Sequence, residues 1–128
     1  MNVQTTSQRM AQAAYNRIRA RKPDEKYRSF ARSFPTLIHS CGLAQSLAFA
    51  LAKKEHHADY AEDLATVLAA AGHEQIHTAQ QLADRIRDDL WVTQYIRISR
   101  DALAAAVWLK RYVEAADDGN PPKQGAGS

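Results

Sequence analysis

Apolar residues recur along this chain with the period of a helix. Met10, Ala14 and Ile18 stand four apart, behind Thr5 and Thr6, either of which can cap a helix start. Pro23, Asp24 and Glu25 mark a second start, with acids where unpaired amides point outward. From there Tyr27, Phe30, Ala31, Phe34 and Ile38 form one stripe, and Pro35 must kink or break that helix. After Gly42, Leu43, Leu47 and Leu51 line one side of a further helix, while Ala44, Ala48 and Phe49 give it a second apolar side. Apolar nearly all round, this helix belongs in the middle of a bundle.

A helix from about Ala58 turns Tyr60, Leu64, Val67 and Leu68 inward, and Gly72 is placed to end it in a left-handed turn. Thr78 and Gln81 make a capping box for the next, which uses Ala79, Leu82, Ile86 and Leu90. The stretch WVTQYIRIS has the composition of a strand but no partner strand, and reads as a connector or a helical turn. Ser99 then caps a last helix, striped by Ala102, Ala106, Leu109 and Val113 and widened by Leu103 and Val107. The expected architecture is all-α, a compact single-domain bundle of five to seven helices over residues 1–116. Residues 117–128, rich in Pro, Gly and Ser, form a disordered tail.

Charge changes this picture. The net charge is only +3, but residues 1–32 hold eight Lys or Arg against Asp24 and Glu25, while residues 55–90 hold eight acids against Arg85 and Arg87. Such asymmetry suggests a face for a polyanion and another for basic protein surfaces. The single cysteine, Cys41, excludes an intrachain disulfide, and its apolar setting makes it a small buried hydrophobe. No N-terminal apolar run looks like a signal peptide, and the apolar stretches fall short of the roughly 20 residues that cross a bilayer. The expectation is a cytoplasmic protein with no membrane partner.

Residues 73–77 spell HEQIH, the zinc signature H-E-x-x-H. That signature works only on a helix, where residues four apart bring two imidazoles to one ion. Here it falls between Gly72 and Thr78, in a connection, and a third ligand is missing at the usual offsets. His56 and His57, being adjacent, are poorly spaced for one metal and read as solvated. No nucleophile elbow, phosphate loop or paired cysteine appears. No enzyme, metal or cofactor is expected.

The segment EKYRSFARSFPTLIHSCGLAQSLAFALAKK, residues 25–54, resembles the small helical subunit of the type III-B CRISPR effector, the Cmr complex. The matching positions are Lys26, Tyr27, Ser29, Arg32, Pro35, Ile38, Gly42, Leu43, Gln45, Leu47, Ala48 and Phe49. The opening helix resembles that family through Gln8, Arg9, Ala14 and Tyr15, and the closing one through Ala102, Leu103, Trp108, Leu109, Lys110 and Arg111. The resemblance implies a non-catalytic all-α subunit. Copies of it would stack between the large polymerase-like subunit and the backbone subunits, lining the channel for target RNA beside the guide. The implied partners are guide and target RNA through their phosphates, the other effector subunits and neighbouring copies.

Lys and Arg on rigid helices suit that task, because they neutralise phosphates without reading bases. The candidate RNA-binding residues are Arg9, Arg17, Lys26, Arg28, Arg32, Lys110 and Arg111. Trp108, between them on its helix, is expected in the core rather than under a base. The rival reading is a small helical DNA-binding regulator with a turn at Cys41 and Gly42, but the apolar helix after that turn is ill suited to a groove.

Overall fold

In the structure, a computed structural model, residues 4–53, 55–88 and 91–117 are described. Among them run five α-helices: α1 (Thr6–Arg21), α2 (Glu25–Ala52), α3 (His56–Ala70), α4 (Ala79–Arg87) and α5 (Val92–Asp117). α2 packs against α5 and α3, α1 packs against the same two, and α4 closes one end against α3 and α2. Leu90 and the tail beyond Asp117 lie outside the described residues.

Local chemistry sets most of the boundaries. Thr5 caps α1 with its side chain on the Gln8 amide, and Gln8 reaches back to the Thr5 amide. Asp24 caps α2 through the Tyr27 amide. α3 ends at Gly72 (φ +110°), where the His73 amide donates to the Leu68 carbonyl and the Gly72 amide to Ala69. That is the paired closure a glycine in positive φ allows. Thr78 and Gln81 repeat the capping box for α4.

Two breaks were expected in α2, and one occurs. Helical dihedrals continue through Pro35, and the only non-helical residue is Gly42, at φ 82° and ψ 165°. Only glycine occupies that region without strain. Just beyond it, the Ala44 amide donates to the Tyr95 hydroxyl of α5, which thus caps the second half of α2.

The stripes form the core. Met10, Ala14, Ile18, Tyr27, Phe34, Leu43, Leu47, Tyr60, Leu64, Leu68, Leu82, Leu109 and Val113 are all buried. Four expectations are corrected. Residues 92–99 are the first turns of α5, so all of WVTQYIRIS after Trp91 belongs to the long last helix rather than to a connector or a lone turn, and Ser99 is internal, its buried hydroxyl without a partner among the described residues. The second apolar side of the helix after Gly42 faces outward: Ala44 and Ala48 are exposed, and Phe49 is 46% exposed. Cys41 is exposed. By length and composition α2 is apolar enough to cross a bilayer, so the sequence estimate of its apolar run was too short. Its apolar stripe is the bundle's core, however, and Gly42 interrupts it.

Candidate nucleic-acid interface

The expected basic residues do not form one continuous face. Arg17 is held by Asp63: its Nε donates to Oδ1 at 2.9 Å, and Arg21 donates to both carboxylate oxygens at 2.9 and 3.0 Å. The Tyr27 hydroxyl donates to the same carboxylate. Asp63 is fully buried, and these three donors from α1 and α2 satisfy it inside the bundle. Hydrogen bonding to Asp63 raises the Arg21 pKa further above its usual range, which keeps the guanidinium charged. Burial, reinforced by the Asp63 charge, pushes the Tyr27 hydroxyl far above the ordinary tyrosine value, so it stays a donor. Part of the charge asymmetry in the sequence is therefore cancelled internally, basic α1 against acidic α3.

Arg28 and Arg32 both reach the exposed Glu25, at 3.2 and 3.0 Å, and Arg28 also donates to the Pro23 carbonyl. The arginines' hydrogen bonds hold the Glu25 carboxyl below its usual pKa. One acid thus gathers two guanidinium groups on the first turns of α2, with exposed Lys26 beside them. Arg9 closes the C-terminal end of α3, with Nε on the Ala70 carbonyl and Nη1 on the Gln4 carbonyl. At the far end of α5, Arg111 lies 4.8 Å over the Trp108 ring and Lys110 reaches Glu114 at 3.9 Å. Trp108 is half-buried, stacked on Tyr112, and packs on the core as expected.

HEQIH lies in turn and coil between α3 and α4. The His73 Nε2 sits 2.7 Å from the Asp101 carboxylate of α5, while His77 is exposed. No group of three or more potential metal ligands occurs among the described residues. His57 is only half exposed: its ring centroid lies 4.0 Å from that of Phe30, and burial lowers its pKa.

Two clefts flank these groups. One, of about 900 Å³, runs along α2 and is lined by Lys26, Phe30, Leu37, Phe49 and His57 among others. The second, of about 860 Å³, is polar and opens where the α3–α4 connection meets α5. Its lining includes Thr6, His73, Gln94, Arg97, Arg100 and Asp101. Sequence reasoning missed Arg97 and Arg100 because their stretch looked like a connector. A helical reading would have shown them one turn apart.

Three comparisons bear on identity. The family model described as CRISPR-associated protein (Cas_Cmr5) matches residues 6–116. The CRISPR system Cmr subunit Cmr5 of Thermus thermophilus is 38% identical over 117 residues, which is 88% of this chain and 96% of that one. The crystal structure of a CRISPR-associated Cmr5 family protein from Thermus thermophilus superposes with a TM-score of 0.78 at 37% identity, over 88% of this chain and 97% of that chain.

Proposed function

The chain belongs to the Cmr5 family, as a small subunit of the type III-B CRISPR Cmr complex, and from that membership we propose that it is a non-catalytic scaffold for RNA-guided RNA targeting. In this reading copies of the subunit stack along the guide and target strands in the cytoplasm. They touch the large polymerase-like subunit, the backbone subunits and one another, and they meet RNA through its phosphates. The observation that carries the reading is the match of nearly the whole helical bundle, residues 6–116, to the family.

Cations on rigid helices supply sequence-independent, salt-sensitive affinity, as a subunit serving any target must. Of the candidate residues, Lys26, Arg28 and Arg32 form a cluster on exposed turns of α2. The ion pairs with exposed Glu25 are of the weak surface kind, which a phosphate can displace. Lys110 and Arg111 form a second cluster, and Arg9 donates to the hydroxyl of Thr6, which lines the polar cleft. Arg17 is the weakest candidate, because moving it to RNA would strip a buried carboxylate of a partner.

The test is a tagged pull-down from the native host, identifying proteins and RNA together. The expected result is a large polymerase-like subunit, repeated backbone subunits and short repeat-derived guide RNAs. Recovery of the chain alone, or with promoter DNA, would refute the scaffold reading and favour the DNA-binding regulator.

A further inference from the structure

Most arginines among the described residues have an evident partner. Arg17 and Arg21 hold Asp63, Arg28 and Arg32 hold Glu25, Arg87 holds Asp84, and Arg9 holds backbone carbonyls. Arg19 and Arg111 lie over the rings of Tyr15 and Trp108. Arg85, Arg97 and Arg100 are exposed and have no acid, carbonyl or ring partner among the described residues. All three surround His73. Arg97 and Arg100 line the 860 Å³ polar cleft, and Arg85 and Arg97 line a smaller hollow that shares His73 and Gln94 with it. The one acid lining the larger cleft, Asp101, is engaged by His73 at 2.7 Å.

Immediately before α5 stands Trp91, 76% exposed, with Val92 and Ile96 of α5 also exposed. The Trp91 amide is bonded to the Gln94 side chain, which fixes this first turn. Among the described residues these three guanidinium groups share the corner with two acids, Asp101, held by His73, and Glu74, which lines a neighbouring hollow with Arg85, so a net repulsion remains, and an indole left in water gains no burial. Both are relieved by a ligand that carries phosphates and flat rings. That is the chemistry of a single strand on a stacking platform with an electrostatic groove. The first turn of α5 adds the positive end of its dipole on the same side, at Thr93 and Gln94 of the cleft.

We propose that single-stranded RNA crosses this corner, with successive phosphates on Arg97, Arg100 and Arg85 and a base stacked on Trp91. The proposal rests on the scaffold reading above and relocates its principal RNA contact from α1 and α2 to α4 and α5. The three arginines come from α4 and α5, and His73 of the α3–α4 connection lines both hollows with them. The strand therefore contacts the end of the bundle that α4 closes.

The test is fluorescence anisotropy of a labelled 20-nucleotide oligouridine against the full chain, over a range of salt concentrations. It is repeated with the chain assembled with its partner subunits. The variants are Arg97→Glu with Arg100→Glu, Trp91→Ala, and Arg19→Glu with Lys22→Glu as a charge-matched control on exposed α1 positions. Thermal melts establish that each is folded. The double reversal should weaken binding at least tenfold and flatten the log–log salt slope by about 1.4, from two lost single-strand contacts. Trp91→Ala should weaken binding roughly tenfold with the slope unchanged. The control should bind within a few-fold of wild type.

Wild-type binding that neither α5 variant reduces would overturn this site while leaving the scaffold reading intact. Variants that bind RNA normally but fail to assemble would make this corner a protein contact, and would also overturn it. No RNA binding by wild type, alone or assembled, would refute the RNA-contacting part of the scaffold reading and this site with it.

Discussion

Replacing Asp63 by Ala should be among the most damaging single changes to this bundle, and its cost can be built from the contacts. The carboxylate is fully buried and accepts from Arg17, Arg21 and Tyr27, joining α1, α2 and α3. Removing it leaves the buried Tyr27 hydroxyl without an acceptor, a desolvation cost of about 1–3 kcal/mol. The arginines suffer less. Arg17 is 37% exposed and Arg21 24%, so both heads can turn to water, and each lost pair counts as a surface pair, about 0–1 kcal/mol. The sum is about 1–5 kcal/mol, or a fall in Tm of roughly 4–20 °C for a domain of this size. Urea unfolding followed by circular dichroism measures it. A double-mutant cycle with Tyr27→Phe isolates the hydroxyl. In the Asp63→Ala background that second change removes the orphaned group and should restore about 1 kcal/mol or more, while on its own it destabilises. A loss below about 1 kcal/mol for Asp63→Ala, or additive effects in the cycle, would refute the view that this carboxylate ties the three helices together.

Gly42→Ala should cost about 1–3 kcal/mol in thermal unfolding, since φ 82° with ψ 165° strains any side chain, although a Cβ there would meet only the Tyr95 hydroxyl at an ordinary 3.9 Å. His57→Phe should flatten the acid limb of stability. The wild-type imidazole, its pKa lowered by burial against Phe30, stabilises fully above the unfolded value of about 6.5 and less as pH falls through the folded one. Urea midpoints at pH 8 and pH 5.5 should therefore converge in the variant. Thr78→Ala should cost about 0.5–2 kcal/mol by removing the cap of α4, read as a lower urea midpoint with unchanged slope. Arg28→Glu with Arg32→Glu should leave the melt nearly unchanged while weakening target-RNA binding by the assembled complex; equal binding would remove that cluster from the interface.

How much of this could be read from the chain depended on the range of the interaction involved. Stripes such as Met10, Ala14 and Ile18 were legible because burial of one helix face imposes its own period. The Thr5–Gln8 and Thr78–Gln81 capping boxes and the Gly72 closure were legible because each is completed within six residues. The start of α5 was not. Val92, Thr93, Tyr95, Ile96 and Ile98 favour strand locally. The helix is fixed instead by contacts distant in sequence, with Ile98 buried in the core and the Tyr95 hydroxyl on the Ala44 amide. Propensity is a weak prior where such packing decides.

The same distinction governs the site. A count of charges along the chain marked α1 and the start of α2 as the polyanion face, because eight basic residues cluster in residues 1–32. What a sequence count omits is pairing, and the pairs here span long separations: Arg17 and Arg21 meet Asp63 across more than forty residues. Basic charge available to a phosphate is what remains once the fold has matched its internal partners. By that measure the dense N-terminal cluster loses two of its arginines to the core, and the sparse arginines of α4 and α5 gain in weight. The acidic middle of the chain changes meaning in the same way. Asp63 is a structural tie, Glu62 accepts the Ala79 amide at the start of α4, and Asp84 pairs with Arg87. Much of what looked like an acidic docking face is therefore engaged within the bundle, so contacts with other subunits of the complex need not depend on acidic charge. The exposed apolar side of α2 around Ala44, Ala48 and Phe49 is a surface whose burial would add to assembly without any acidic charge.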